Sequence, residues 1–200
     1  MSRIIAAGHS YGANTSMLAA GAAVKRDGKL IALRDARISA AILLSAPPFY
    51  GTGDAKDILG RIDVPTLHIT ATDDDISIPG YRSGVADRVE IYQATGAARP
   101  DAARPSKTLA VFRGGSHSIF TDRLGTGGIE LNPKIKAATR DLTLAFLRSL
   151  DVKGNAAEAG ADGLSVWRQQ YAPLLASFER AGLSKMPAAA AAQGSASLNE

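Results

Sequence analysis

Apolar and polar positions change period along the chain and divide it into alternating strands and helices. Ile4–Ala7 is a short apolar run that predicts a buried strand, and residues 11–25, rich in Ala, Met and Leu without proline, predict a helix ending near Asp27-Gly28. Ile38–Leu44 (ISAAILL) is apolar almost throughout instead of alternating, so both faces of that strand should be covered, as in a parallel sheet. A short helix is expected over residues 54–62. The strand Pro65–Thr70 then delivers the triplet Asp73-Asp74-Asp75. Thr108–Phe112 reads as a further strand running into Arg113-Gly114-Gly115-Ser116-His117. Asn132-Pro133 opens a helix in which Ile135, Ala138, Leu142 and Phe146 share a face, with Asn132 as the cap. Leu164, Trp167, Tyr171, Leu174, Leu175 and Phe178 repeat that spacing and predict a last helix ending at Gly182.

Strands separated by helical segments predict an α/β fold, a mostly parallel sheet with flanking helices. Residues 1–182 are expected to form one domain, with a small-residue connector over 154–163. From Pro187 onward Leu198 is the sole large apolar residue, so 183–200 is expected to be an Ala-rich disordered tail. In such folds the chemistry gathers at the carboxyl ends of the strands. Ser10, the aspartate triplet and His117 each stand immediately after a predicted strand.

Composition narrows the possibilities modestly. The chain has 200 residues, 46% of them hydrophobic and 21% charged, and no stretch long enough to span a membrane. There is no cysteine, which excludes disulfides and thiolate metal sites but leaves the compartment open. The first residues carry no export signal. The net charge is +4, yet Lys and Arg are interspersed with acids, which argues against nucleic acid as a partner. No two of the three histidines have metal-ligand spacing, so neither a metal nor another cofactor is expected.

The chemistry expected at the three strand ends is nucleophilic. A serine hydroxyl needs a base within hydrogen-bond reach and a third group to orient that base. Gly8-His9-Ser10-Tyr11-Gly12 (GHSYG) has the G-x-S-x-G form, in which a sharp turn between strand and helix exposes the serine; side chains at Gly8 and Gly12 are both expected to collide with neighbours. The helix from Tyr11 points its first amides toward the serine, which makes the Tyr11 N–H a candidate oxyanion donor. His9 is expected to pack or line a pocket, and His68, inside a strand, to be a core residue. Phe49, Tyr50, Ile119 and Phe120 follow strand ends and either line a substrate pocket or cover the site.

These features together resemble the α/β-hydrolase superfamily: GHSYG behind a strand, ATDDDISIP behind a later one and GGSHSIF behind the next, in the order serine, acid, histidine. The stretches RIIAAGHSYGANTS, PTLHITATDDDISIPG and FRGGSHSIF are similar to the branch with dienelactone-hydrolase-like, chlorophyllase-like and polyester-hydrolase-like enzymes, over about residues 2–160. Serine at position 10 departs from true dienelactone hydrolases, which use cysteine. The resemblance implies Ser10 as nucleophile, His117 as base and acid, and Asp74 as the orienting acid, with Asp75 as the alternative. It further implies hydrolysis of a small-molecule carboxylic ester through an acyl-enzyme. Peptidase or thioesterase chemistry and a non-catalytic interaction module remain as alternatives. In the family the nucleophile strand is the fifth of eight, and the second oxyanion donor comes from the loop after the third. The expectation is therefore that these residues are the carboxyl-terminal portion of a longer hydrolase, with the first strand as an open edge available for self-association.

Overall fold

The computed structural model describes residues 4–48, 53–97, 105–123, 130–151 and 162–182. In chain order the elements are β1 (Ile4–His9), α1 (Tyr11–Ala19), β2 (Ala23–Arg26), β3 (Lys29–Ala32), β4 (Ile38–Leu44) and α2 (Ala55–Leu59). There follow β5 (Thr66–Asp73), β6 (Ile76–Ile78), β7 (Tyr81–Ser83), α3 (Val85–Ala94), β8 (Lys107–Ser116), α4 (Leu131–Asp151), α5 (Gly163–Tyr171) and, after a 3-10 turn at Ala172–Leu174, β9 (Leu175–Ala181). Five strands form one sheet in the order β1-β4-β5-β8-β9. The first four run parallel and β9 runs antiparallel to β8. Two small hairpins, β2-β3 and β6-β7, stand outside it. The fold is α/β, with helices on the faces of a mostly parallel sheet.

The apolar run of β4 is continuous because each face of the sheet has its own core. Ala41 and Leu43 pack with Ala13 and Met17 of α1, Ile58 of α2 and Ile91 of α3. Their neighbours Ala40 and Ile42 point the other way, to the core that holds Leu142 and Phe146 of α4 and Trp167 of α5. The Trp167 indole N–H donates to the Ala138 carbonyl at 2.8 Å, which ties α5 to α4. His68 lies in β5, fully enclosed, with Nε2 on the Thr66 hydroxyl at 3.1 Å and its ring edge-on to Tyr92. Burial pushes its imidazole down to about 3, so it is a neutral core residue.

Several expected boundaries move. The helix from Tyr11 ends at Ala19, and residues up to Ala32 turn into the β2-β3 hairpin, with Asp27 and Gly28 both at positive φ (50° and 73°) as its two-residue turn. Asp-Gly therefore joins two strands here instead of ending a helix. The expected last helix stops at Tyr171: Pro173 cannot continue the hydrogen-bond ladder, and residues 175–181 become β9. The helical spacing misleads because Phe178 of β9 still packs on Trp167, with ring centroids 5.5 Å apart. The helix expected over 54–62 shortens to Ala55–Leu59, and α4 begins at Leu131, which places Asn132 inside the first turn. Residues 76–94, for which no element was expected, supply β6, β7 and α3. Most of the connector, the tail from residue 183, and Phe49 and Tyr50 lie outside the described residues. Among the described residues no helix is long and apolar enough to cross a membrane.

Candidate active site

Ser10 owes its position to the end of β1. There the backbone takes φ 55° and ψ −122°, a region that non-glycine residues avoid, and α1 begins at the next residue. Two hydrogen bonds hold the turn: the Ser10 N–H donates to the Leu44 carbonyl and the Ala13 N–H to the Ser10 carbonyl, each at 2.9 Å. The turn is possible because position 8 is glycine; a Cβ there would lie 2.2 Å from the Gly12 carbonyl carbon and oxygen. Position 12 differs from the expectation, since a Cβ on Gly12 would meet nothing within 4 Å. Only the first glycine of the motif is sterically required in this protein.

Asp74 stands just past β5, where the pairing with β8 becomes irregular between Ala71 and Asp73. The three consecutive aspartates separate here. Asp73 is exposed and accepts from the Thr72 hydroxyl at 2.9 Å. Asp75 is also exposed and lines an open cavity of about 420 Å³ with Ser77, Arg82 and Asp87. Asp74 is fully buried (0% exposed). Its Oδ2 accepts from the Thr70 hydroxyl at 2.6 Å, and its Oδ1 from His117 Nδ1 at 2.7 Å and from Arg88 Nη2 at 3.3 Å. Burial pushes the Asp74 carboxyl up, but the hydrogen bonds from His117 and Thr70, then the Arg88 charge and a small contribution from Ser45, outweigh it and hold the group at about 2. The Ser45 hydroxyl is buried and makes no hydrogen bond of good geometry, in keeping with its small share.

His117 follows β8 through two glycines at positive φ, Gly114 at 67° and Gly115 at 92°. A Cβ on Gly115 would stand 3.0 Å from Ile119, so the loop closes tightly over the core. Ile119 is itself fully buried, packed with Phe112 and Ile135, and faces the core instead of a substrate. His117 Nε2 meets the Ser10 hydroxyl at 2.7 Å. Because the ionised Asp74 can only accept at Nδ1, Nδ1 carries the proton and Nε2 is left to accept from Ser10. The arrangement can withdraw a proton from the Ser10 hydroxyl and hold it as a stabilised imidazolium.

His9 has a definite place in this arrangement. Its Nε2–H donates to the His117 carbonyl at 2.7 Å, with the two ring centroids 5.0 Å apart and Phe120 edge-on at 6.4 Å. Burial lowers its pKa, so the ring is neutral while it anchors the histidine loop. Tyr11, the first residue of α1, exposes 68% of its surface beside Ser10. Thr70 and Arg88 are the site residues that the sequence analysis does not identify. Arg88 carried a readable signal, an arginine on the same helical face as Ile91 and Tyr92. Among the described residues no group of three or more metal-ligating side chains is placed to hold a metal ion. No protein-family model matches the chain, and no curated protein matches it either.

Proposed function

We propose that the protein is a serine hydrolase of the α/β-hydrolase type that cleaves a small-molecule carboxylic ester through an acyl-enzyme on Ser10. One observation carries this reading: an unbroken relay in which Ser10 Oγ reaches His117 Nε2 at 2.7 Å and His117 Nδ1 reaches Asp74 Oδ1 at 2.7 Å. Ser10 Oγ attacks the ester carbonyl carbon as its proton passes to His117 Nε2. The Tyr11 N–H, at the positive end of α1, stabilises the resulting oxyanion. Collapse breaks the bond to the alcohol oxygen, which takes the proton from His117. Water, deprotonated by the same imidazole, then releases the acid and restores Ser10.

The test is labelling of the full chain with a fluorophosphonate, mapped by peptide, together with turnover of p-nitrophenyl acetate. Ser10 should carry the label, and Ser10→Ala should abolish both label and turnover. Undiminished turnover in Ser10→Ala would remove the assignment. Among the described residues β1 pairs along one edge only, with β4, which favours a second reading, an interaction module that pairs along that strand with another copy. A protein that takes no label but sediments as a defined, concentration-dependent oligomer would favour it.

A further inference from the structure

Behind the relay lies a charge that the acyl-transfer steps do not use. Arg88 projects from α3, its side chain 2% exposed, against the 0% exposed Asp74. Its Nη2 reaches the same Oδ1 that His117 uses, and also the Asp74 carbonyl at 3.5 Å. Its Nη1 donates to the Ser83 hydroxyl at the end of β7. The start of α3 is fixed in turn, because the Gly84 N–H donates to the Asp87 carboxylate at 2.7 Å. The guanidinium is thus held by two elements and aimed at a single carboxylate oxygen.

We propose that Arg88 is a positioning residue that acts through Asp74, sharing Oδ1 with His117 and so limiting how strongly the carboxylate holds a proton on the imidazole. This rests on the reading of Ser10 and His117 as nucleophile and base. A buried carboxylate facing imidazole alone would stabilise the imidazolium and leave less of the base free at a given pH. A guanidinium on the same oxygen offsets that pull and opposes the imidazolium directly, with little solvent to screen either effect. Among the described residues, the other charged or titratable groups on the elements that carry or flank the pair are His9 of β1, Asp73 at the end of β5, Asp75 just after it, Asp87 of α3 and Arg113 of β8. Asp73, Asp75 and Arg113 are exposed and His9 and Asp87 half-buried, whereas Arg88 is buried with the pair.

The test compares the full wild-type chain with Arg88→Gln and Arg88→Lys, following the His117 ring by NMR titration and kcat/KM for p-nitrophenyl acetate against pH. In Arg88→Gln the His117 midpoint and the acid limb of kcat/KM should both move up by about one pH unit, the scale of a nearby buried charge. Activity on that limb should fall about tenfold and recover at higher pH, while Arg88→Lys, which keeps the charge, should move the midpoint less. A lower plateau with an unmoved midpoint would mean that Arg88 is merely structural and would overturn the proposal. Should Arg88→Gln not fold, the wild type still decides: the Arg88 Nη resonances should titrate together with His117, and a freely rotating or unresponsive guanidinium overturns the proposal. The NMR midpoint does not depend on turnover. A shifted midpoint without Ser10 labelling would therefore reject the hydrolase reading and retain the coupling, whereas labelling without a shift would do the reverse.

Discussion

The two ends of the relay are built by opposite means. Asp74 is held by side chains from three parts of the fold: Thr70 from the strand just before it, His117 from the loop after β8 and Arg88 from α3. Ser10 is held by its backbone, in a disfavoured conformation that depends on the missing side chain of Gly8. Asp74 is buried and over-supported; Ser10 is half-exposed and strained, beside a largely exposed Tyr11. The contrast fits the tasks proposed for the two residues. A buried charge has to be compensated at every oxygen, whereas a nucleophile has to be reachable.

The change that tests the acid end most severely is Asp74→Asn. It leaves the Arg88 charge buried without its carboxylate and takes away the group that sets the His117 tautomer. Ser10 labelling should slow by about 10⁴-fold, and unfolding in urea should show a loss of about 3–5 kcal/mol. Unchanged labelling would mean that Asp74 does not orient the base. At the other end, Gly8→Ala should destabilise by roughly 3 kcal/mol or more, because the new methyl meets backbone that cannot move aside. Gly12→Ala, read in the same urea titration, should shift stability by no more than about 1 kcal/mol, and in the favourable direction for a helix. Equal effects at the two glycines would refute the one-sided turn.

A smaller effect separates the acid site from the rest of the core. Asp74 and His68 both have lowered values, about 2 and about 3, so each favours folding at higher pH and loses its contribution on acidification. The windows differ. The His68 contribution falls away from about pH 6.5 down to about 3, at up to about 1.4 kcal/mol per pH unit, whereas that of Asp74 is lost below about pH 4. His68→Leu should flatten stability across the upper window in urea titrations and leave the steep loss below pH 4. Persistence of the upper slope would place its origin in another group.

The parts of the fold that were legible in sequence are those set by local chemistry. The G-x-S-x-G turn reads directly because the steric need of Gly8 lies within the motif, and β4 reads as doubly covered because both parities are apolar. The choice among Asp73, Asp74 and Asp75 was not settled by the residues themselves, since three identical side chains differ only in which distant groups reach them. Thr70 is four residues away, but Arg88 and His117 are brought in by tertiary structure. The β6-β7 hairpin has a recognisable turn in Pro79-Gly80, yet its strands of three residues are too short to show a period. β9 was hidden because its Phe178 continues the spacing of the Trp167 helix and joins the same core.

The five-stranded sheet has consequences for the Ser10 turn through its outermost member. Among the described residues β1 pairs only with β4, and its last residue, His9, directly precedes Ser10. A polypeptide that lined up along residues 4–9 would lie one interstrand spacing away, about 4.8 Å. Docking at that margin would therefore bring foreign amide groups beside the Ser10 turn, so that under the proposed hydrolase reading assembly and turnover share a boundary.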